Sequence, residues 1–236
     1  FEYMKHEGRE NKFFGFFTMT FGVIEGVAFA DNFLTLYLFY ELLTLATLPL
    51  VMHSMDGRAR YAGKKYLIYS LSGAAFAFIA MIFLLTYGST LDFTFGGVLD
   101  PSRASGHETL LQTVFVLGFF GFGVKAAIFP FHGWLPDAYG YSTVSSATIL
   151  SSLVSKGYIF LLLKIFYRVI GFEVIRDSKV IHVLFVFGIA GMIIGSIDAI
   201  RENSIRRMIA YSSVAQIGYI YMGFGLGTEL GVLASV

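Results

Sequence analysis

The sequence has 236 residues, of which 56% are hydrophobic, 17% aromatic and only 14% charged, and its formal net charge is +1. Soluble domains carry about 25% charged residues, whereas the apolar residues here come in blocks of about 20, the length that spans the hydrocarbon core of a bilayer. The composition therefore excludes an ordinary soluble domain and indicates a polytopic membrane protein.

Seven membrane-spanning segments are predicted, at 13–30, 33–53, 66–88, 110–129, 143–170, 180–200 and 205–226, and an eighth is expected to begin near Glu229. Only Ala30, Asp31 and Asn32 link the first two segments, so these helices are expected to be antiparallel neighbours. The longest connection, 89–108, is predicted to be an irregular outer loop.

The absence of cysteine narrows the chemistry of the chain. It excludes disulfides, iron–sulfur clusters and thiolate metal sites, and the five scattered histidines offer no ligand pair for a haem. We therefore expect no cofactor and no metal in this chain, and nothing in the charge balance indicates a nucleic-acid partner. No cleavable signal pattern precedes the first apolar run, so the sequence, which begins with Phe1, is expected to be part of a longer chain.

The basic residues predict the orientation in the membrane. With the N-terminus in the cytoplasm, the inner segments hold ten basic residues: Lys5, Arg9, Lys12, Arg58, Arg60, Lys64, Lys65, Arg201, Arg206 and Arg207. The outer loops hold four, which are Arg103, Arg168, Arg176 and Lys179. Because cytoplasmic loops carry the excess of lysine and arginine, this bias puts the N-terminal end and the turn WLPDAY (134–139) on the cytoplasmic side.

Five ionisable residues lie inside predicted spans: Glu25, Glu41, Lys125, Lys156 and Lys164. A charge at the bilayer centre costs about 2.5–3.5 kcal/mol on insertion scales, so five unpaired charges would cost roughly 10 kcal/mol. A chain tolerates this only where the groups pair, meet water or carry out a function.

Glu41 and Lys125 are the natural partners among these residues. Burial disfavours the charged form of each group, whereas the opposite charge favours it, so the protonation of such a pair changes with its separation. The pair is predicted either to switch protonation or to act as a static link between two helices. The residue pattern alone leaves both interpretations open.

The helix that contains Lys125 is predicted to break just after it. Pro130 removes a backbone N–H, and Gly118, Gly121 and Gly123 are expected to loosen the same helix. Broken helices with ionisable groups at the break are a feature of transporters. His132 follows the break and is either a proton relay or a histidine that is hydrogen-bonded in a turn. The aromatic residues Trp134, Tyr139 and Tyr141 are predicted to be interfacial anchors.

Lys156 lies near the middle of the span 143–170. Ser145, Thr148, Ser152 and Ser155 precede it at helical spacing, which predicts a hydroxyl stripe that either carries protons or packs helix on helix. Lys164 lies two turns nearer the outer side, where it either takes part in proton transfer or extends to the interface. Glu25 is expected to approach Glu41 or Lys125, or to face a partner subunit.

Four segments resemble a known family. FADNFLTLYLFYELLTL, KAAIFPFHGWLPDAY, LVSKGYIFLLLK and IRRMIAYSSVAQIGYI are similar to segments of the antiporter-like membrane subunits. These subunits occur in respiratory complex I (the L, M and N type chains), in Mrp-type sodium/proton antiporters and in membrane-bound hydrogenases. The similar segments follow the family's order from about residue 28 to 221.

The resemblance implies an all-α bundle with two inverted five-helix repeats, each with a broken helix. Residues 1–170 correspond to the first repeat, with its break near Lys125–Pro130, and residues 171–236 to an incomplete second repeat. By motif, Glu41 matches the family's central glutamate, and Lys125 the lysine of the first broken helix. His132 matches the histidine of the proline-containing motif that follows. Lys156 matches the lysine that passes protons along the central axis, and Lys164 lies where many members have arginine.

One departure from the family is large: the second broken helix, with its lysine or glutamate, is missing from the sequence, so further chain is expected beyond it. The resemblance implies a proton-translocating subunit of a redox-driven complex, with other membrane subunits and redox subunits as partners in a prokaryotic cytoplasmic membrane. A subunit of an Mrp-type sodium/proton antiporter without a redox partner is the alternative. The third hypothesis is a non-conducting scaffold subunit. Such a subunit would gain stability if Glu41, Lys125 and Lys156 were replaced by apolar residues, which argues against this hypothesis.

Overall fold

The computed structural model describes residues 2–94, 96–104, 106–171 and 180–235. Within these ranges the chain is helical, with two isolated β-bridges, Asn32–Asp92 and Gly88–Leu99, and no longer strand. The predicted all-α class is confirmed. The outer-loop residues Arg176 and Lys179 lie outside the described residues.

The helices follow one another with short connections. They are α1 (Glu2–Glu7), α2 (Glu10–Phe29), α3 (Phe33–Val51), α4 (Gly57–Tyr87), α5 (Pro101–Ala104), α6 (Glu108–Lys125), α7 (Leu135–Tyr141), α8 (Val144–Ile149), α9 (Ser155–Ile165), α10 (Val180–Arg201), α11 (Ile205–Gly225) and α12 (Glu229–Ser235). A 3₁₀ turn (Phe131–Trp134) precedes α7, and π-helical turns (Leu150–Val154 and Phe166–Ile170) precede and follow α9.

The predicted spans correspond to these helices. Within the described ranges, five segments are long and apolar enough to cross a membrane: Glu10–Phe29, Phe33–Val51, Gly57–Tyr87, Val144–Ile170 and Ile181–Arg201. The other two predicted spans correspond to α6 and α11, which have 18 and 21 residues. The main error is the start of α4, which begins nine residues before the predicted 66. Its first turns carry four basic residues, so a hydropathy pattern does not include these turns in a membrane span.

Side-chain caps fix where α3 and α4 begin. The Asn32 side chain accepts a hydrogen bond from the Thr35 N–H at 2.8 Å, and the Asp56 carboxylate accepts one from the Ala59 N–H at 2.7 Å. The backbone hydrogen bond from Ala59 holds the pKa of Asp56 below its usual value. These caps satisfy N–H groups that have no partner within their own helix.

The two ends of the bundle are built differently. At one end the outer loop pairs with the chain around it, since the Phe93 N–H donates to the Asp31 carbonyl and the Val98 N–H to the Val169 carbonyl. At the other end the N-terminal segment meets the α3–α4 connection, where His53 Nε2 lies 3.0 Å from the Gly8 carbonyl oxygen. The described residues of 89–108 are irregular as predicted, apart from the short helix α5 and the first residue of α6.

Glycines bring α4 and α6 into close contact. A Cβ atom at Gly121 would lie 2.6 Å from the Ala77 backbone nitrogen, and one at Gly118 would lie 2.7 Å from the Ala80 Cβ. Two of the three glycines that were expected to loosen this helix, Gly118 and Gly121, thus pack it against α4. Small residues at helix contacts are common in membrane proteins, where packing replaces the hydrophobic driving force.

The helices α10 and α11 form a second close pair. A Cβ at Gly218 would lie 2.6 Å from the Met192 nitrogen and 2.7 Å from the Gly188 carbonyl oxygen. Both atoms belong to the backbone, so neither can rotate away from an added side chain. This contact therefore depends on glycine itself.

We predict that Gly218→Ala destabilises the bundle, because forcing a methyl group into a packed contact costs about 1–3 kcal/mol. The midpoint of thermal unfolding in detergent should fall by roughly 2–4 °C for each kcal/mol lost. Gly57→Ala is the matched control, since a Cβ there meets no atom within 4 Å. Equal midpoints for the two variants would contradict the packing of α10 on α11.

Candidate functional site

Lys125 is the last residue of α6, and its side chain is fully buried, with 0% of its surface exposed. Its Nζ donates to Glu41 Oε1 at 2.9 Å and to the Tyr40 carbonyl oxygen at 3.1 Å. The same nitrogen lies 3.5 Å from the centre of the Tyr40 ring. A carboxylate, a carbonyl and an aromatic face thus surround an ammonium group inside an apolar bundle.

The predicted pairing of Glu41 with Lys125 is confirmed by this contact. The two partners differ in exposure, because 29% of the Glu41 side chain remains accessible. One member of the pair is therefore accessible from outside the described helices, whereas the other is buried. Charge cancels within the pair, which removes most of the cost of placing it at this depth.

Tyr40 holds the helices of the pair together. Its hydroxyl donates to the Gly121 carbonyl oxygen at 3.0 Å, one turn before Lys125 on α6. Its ring packs on Phe122 and Tyr158, with centroids 5.0 and 5.9 Å apart. Because Tyr40 precedes Glu41 in the chain, the same helix positions both the carboxylate and the aromatic face.

The helix break after Lys125 is confirmed. Beyond α6, Ala127 has a positive φ of 55° and the Phe129–Pro130 peptide bond is cis. The chain then passes through the 3₁₀ turn into α7. Lys125 therefore lies at the last helical position before a stretch of irregular backbone, a geometry tolerated at membrane depth only where protein or water covers it.

The Trp134 indole contacts the backbone at this helix break. Its Nε1 donates to the Val124 carbonyl oxygen at 2.9 Å, directly beside Lys125, and only 3% of the residue is exposed. The prediction that Trp134 is an interfacial anchor is wrong. The indole N–H gives the Val124 carbonyl, which also accepts from the Ala127 N–H, a second hydrogen bond inside the protein.

Tyr139 is also buried rather than interfacial, with 4% exposure. Its hydroxyl lies 3.0 Å from the Leu150 carbonyl oxygen, which the π-helical turn leaves accessible, and it forms a very short hydrogen bond with Ser155 Oγ. The prediction of an anchor was wrong here for the same physical reason. Tyr141, the third of these aromatics, is half-buried and accepts a hydrogen bond from Arg207 at 2.7 Å.

A cluster of hydroxyl groups lies between the pair and α7. We call it the hydroxyl cluster; its members are Thr44, Thr47, Tyr66 and Tyr158, all buried. Thr47 Oγ1 lies 2.7 Å from the Tyr66 hydroxyl, and the Tyr66 ring packs on Trp134 at 5.0 Å. The Thr44 and Tyr158 hydroxyls are buried close to Tyr66 but make no well-formed hydrogen bond among the described residues.

The sequence interpretation missed this cluster. Thr44 follows Glu41 by three residues, so the two share a face of α3, and that spacing was the available signal. The tyrosines come from α4 and α9, and no sequence pattern links residues that are so far apart in the chain.

His132 lies on the 3₁₀ turn and stacks on Phe129, with ring centroids 5.6 Å apart. Its Nδ1 is buried and without a hydrogen-bond partner in the described part of the chain. This nitrogen therefore does not make the hydrogen bond that a purely structural histidine in a turn would make. Among the described residues, no contact joins His132 to Lys125.

Lys156 is exposed on the outside of the described helices and donates to the Ser151 carbonyl oxygen at 2.6 Å. Thr148 and Ser152 are exposed on the same segment, and their hydroxyls donate to backbone carbonyls of their own helix. Ser155 departs from the predicted stripe, because it is buried beside Tyr139. The hydroxyl stripe is thus divided between two faces.

Lys164 lies at the opposite end of the bundle from α7. Its Nζ donates to the carbonyl groups of Val27, Ala28 and Ala30, at the C-terminal end of α2. A cation at the C-terminus of a helix satisfies carbonyls that have no partner and interacts favourably with the helix dipole. These contacts give Lys164 a defined structural task that the sequence interpretation did not foresee.

Glu25 is exposed on α2 and forms no ion pair with any residue that the structure describes. Its predicted approach to Lys125 is wrong, because Glu41 and Tyr40 supply the contacts of that ammonium group. Contact of Glu25 with a partner subunit stays a prediction.

Asp137 is the second site residue that sequence reasoning missed. Its carboxylate is 8% exposed and binds Lys65 Nζ at 2.6 Å and Arg207 Nη2 at 3.6 Å. Arg207 also lies 3.1 Å from Glu202. The single acidic residue of the turn WLPDAY thereby ties α7 to α4 and α11, just after the helix break.

Comparison with known proteins identifies the family. The family described as "NADH:quinone oxidoreductase/Mrp antiporter, TM" matches residues 30–236. The NADH-quinone oxidoreductase subunit N of Desulforudis audaxviator is 31% identical over 230 residues, which cover 96% of this chain and 44% of the relative. The NAD(P)H-quinone oxidoreductase chain 4 of Trichormus variabilis is 28% identical over 228 residues, covering 95% of this chain and 41% of the relative.

Solved structures share the fold. A chain of the Mrp complex from Dietzia sp. superimposes with a TM-score of 0.78 at 23% identity, covering 92% of this chain and 40% of that one. A chain of respiratory complex I from Thermus thermophilus gives a TM-score of 0.74 at 22% identity, covering 93% and 47%. The present chain therefore spans less than half the length of these relatives.

We predict that Glu41→Gln destabilises the protein, because it leaves the Lys125 ammonium buried without a counter-charge. Breaking a buried pair costs about 3–5 kcal/mol, and the partial exposure of Glu41 favours the lower end, about 3 kcal/mol. Thermal unfolding of the purified protein in detergent measures this loss. The double variant Glu41→Gln/Lys125→Met should recover most of it, and a double variant no more stable than Glu41→Gln would contradict the pairing.

Proposed function

The chain belongs to the antiporter-like membrane-subunit family of NADH:quinone oxidoreductases and Mrp antiporters, and from that premise we propose that it translocates protons as a subunit of a redox-driven membrane complex. The observation that carries the proposal is the buried ion pair between Lys125 and Glu41 at a helix break. Replacing a buried ion pair by well-packed apolar residues is often neutral or stabilising, so stability alone does not explain why these two residues are charged.

The pair is proposed to be the first switch in the proton path. When Glu41 takes up a proton, the Lys125 ammonium loses its counter-charge and is left with a carbonyl and an aromatic face. An ammonium group buried without a counter-charge is unstable, which favours release of its proton. Protonation of one partner thus drives deprotonation of the other, and a charge change elsewhere in the complex would bias the exchange.

Protons are proposed to reach the pair from the α7 end of the bundle. The hydroxyl cluster lies along this route, and a water bound between the Thr44 and Tyr158 hydroxyls would give both a partner. His132, with its buried Nδ1, lies at the same helix break. Hydroxyl and imidazole groups both accept one proton while donating another, as a relay requires.

Lys156 is the proposed next carrier after Lys125. Its exposed ammonium is held by a backbone carbonyl and by no carboxylate of the described chain, so it is available to a group that covers this face. That Lys164 carries protons stays a prediction. Its three carbonyl contacts favour a role in capping the end of α2.

The proposed orientation puts the N-terminal end and the turn 134–139 in the cytoplasm of a prokaryotic cell. The lysine and arginine bias supports it, and so does the grouping of these segments at one end of the bundle, where Lys65 binds Asp137 and His53 binds the Gly8 carbonyl. We also propose that residues 1–170 form the first repeat and 171–236 the start of the second.

An Mrp-type antiporter subunit is the second candidate, because the fold superimposes equally well on a chain of an Mrp complex. It predicts sodium efflux without electron transfer, whereas the first candidate predicts proton uptake that depends on an electron donor. The partners differ accordingly: redox subunits in the first case, and antiporter subunits alone in the second. A non-conducting scaffold has no observation in its favour, since it leaves the buried pair unexplained.

The main prediction separates a proton switch from a static link between helices. Lys125→Ala should abolish proton pumping while electron transfer by the redox subunits continues in part. Lys125→Arg keeps a cation beside Glu41 but cannot release its proton, so it too should stop pumping. Proton uptake driven by an electron donor is measured with the whole complex in proteoliposomes.

The control for this experiment is Lys64→Ala, which removes an exposed lysine from α4. It should pump at the unmodified rate. Normal pumping by Lys125→Arg would show that the pair only joins two helices, and normal pumping by Lys125→Ala would remove the proposal altogether.

A second prediction tests the route. Tyr158→Phe removes a buried hydroxyl that makes no well-formed hydrogen bond among the described residues, so thermal stability should change little. Proton uptake should slow about tenfold or more, because positioned proton-transfer groups contribute roughly 100-fold or more. Tyr221→Phe is the matched control, since it removes an equally buried hydroxyl on α11 that also lacks a partner there. Equal rates for the two variants would exclude the hydroxyl cluster from the path.

A further inference from the structure

The short helix α7 contacts the chain near both lysines of the proposed path. Trp134, just before its first residue, donates to the Val124 carbonyl oxygen beside Lys125. Tyr139, less than two helical turns further on, donates to the Leu150 carbonyl oxygen at 3.0 Å, in the π-helical turn that precedes α9. One short helix thus contacts the backbone at both places.

The π-helical turn sets the direction of Lys156. The Ser155 N–H donates to the Leu150 carbonyl, five residues earlier, which is the bond that closes a π turn. Lys156 is the next residue, and its Nζ donates to the Ser151 carbonyl oxygen of the same turn at 2.6 Å. The turn therefore determines where the lysine side chain leaves the helix, and it also holds the ammonium group.

Two buried hydroxyl groups meet at the Leu150 carbonyl. Tyr139 reaches it from α7, and Ser155 Oγ lies 3.2 Å from it within the same segment of chain. The two hydroxyls also bond each other. Because the Tyr139 hydroxyl has a single proton, Ser155 donates to the Tyr139 oxygen while Tyr139 donates to the carbonyl. Loss of the Ser155 hydroxyl therefore leaves the bond between α7 and the turn in place.

The helix α7 is itself held in a fixed place. Asp137 binds Lys65 of α4 at 2.6 Å and lies 3.6 Å from Arg207 of α11. Tyr139 is only 4% exposed, and its ring lies 6.4 Å from that of Trp134. A hydrogen bond from a helix that is anchored on two sides restrains the turn, in the way that surrounding residues hold a functional group in its productive geometry.

We propose that Tyr139 is a positioning residue for Lys156. Its bond to the Leu150 carbonyl keeps the π-helical turn in register, and the turn keeps the ammonium group directed as proton transfer requires. The inference rests on the proposed function, in which Lys156 is the next carrier after Lys125. Tyr139 acts through the backbone and does not itself carry the proton.

Proton uptake by the intact complex in proteoliposomes is the first measurement. Tyr139→Phe keeps the ring but frees the turn from α7, so uptake should fall about tenfold, since a misplacement of about 1 Å can cost roughly 100-fold. Ser155→Ala removes a buried hydroxyl from the same site but leaves the Tyr139 bond, so its loss should be several times smaller. Unchanged uptake by Tyr139→Phe would overturn the proposal. An equal loss in the two variants would also overturn it, because that result assigns both hydroxyls to a proton relay.

A spin label reports the direction of residue 156 independently of pumping. Lys156→Cys provides the attachment site, since this chain has no cysteine of its own, and the complex with the native lysine gives the background signal. Adding Tyr139→Phe should change the mobility of this label and its accessibility to oxygen. A label at Thr148→Cys, before the turn, is the matched control and should report no change. An unchanged signal at position 156 would overturn the proposal.

Lys156→Ala separates this inference from the proposed function. Loss of proton uptake in this variant supports Lys156 as a carrier, and normal uptake contradicts that step of the proposed function. With either result, the spin label decides whether Tyr139 directs residue 156.

Discussion

The structure depends on one constraint: an ammonium group inside an apolar bundle must have every side of it occupied. Lys125 meets this condition through three contacts that all come from two consecutive residues of α3, Tyr40 and Glu41. Long side chains make this link between α3 and α6, whereas the close backbone contact of α6 is with α4, which Gly118 and Gly121 face. The helix ends immediately after the lysine, and Trp134 donates a hydrogen bond to the Val124 carbonyl oxygen beside it.

The site is connected mechanically to the rest of the chain through α7. Asp137 binds cations from α4 and α11, so a short helix of seven residues is held on two sides. Trp134 lies at the start of this helix and contacts the backbone beside Lys125. Arg207 of α11, Asp137 and the indole therefore connect the proposed second repeat to the first helix break. The connection is made of hydrogen bonds and ion pairs.

Sequence reasoning predicted the helices well, because hydropathy and the length of a bilayer leave few choices. It also paired Glu41 with Lys125, because few ionisable residues lie inside the spans and an unpaired charge there is costly. It failed where the answer depended on which way a side chain points. Trp134 and Tyr139 were taken for interfacial residues by composition, yet each donates a hydrogen bond to a carbonyl left accessible by irregular backbone. Lys164, the hydroxyl cluster and Asp137 were missed or misjudged for a similar reason, since their partners lie 134 or more, 19 and 72 residues away in the chain.

The π-helical turn at Leu150–Val154 bears on how chains of this kind are to be aligned. A turn closed by bonds to the fifth residue holds more residues than an α-turn, so positions four apart stay on one face. Thr148, Ser152, Lys156 and Phe160 are accordingly all exposed, although an unbroken α-helix would carry Lys156 well away from Thr148. A homologue with a regular helix here needs one residue fewer to present its lysine in the same direction. A homologue that aligns with a one-residue gap between positions 150 and 154 would then point its lysine in the same direction as Lys156. A homologue that aligns without a gap but has a regular helix would point its lysine in a different direction.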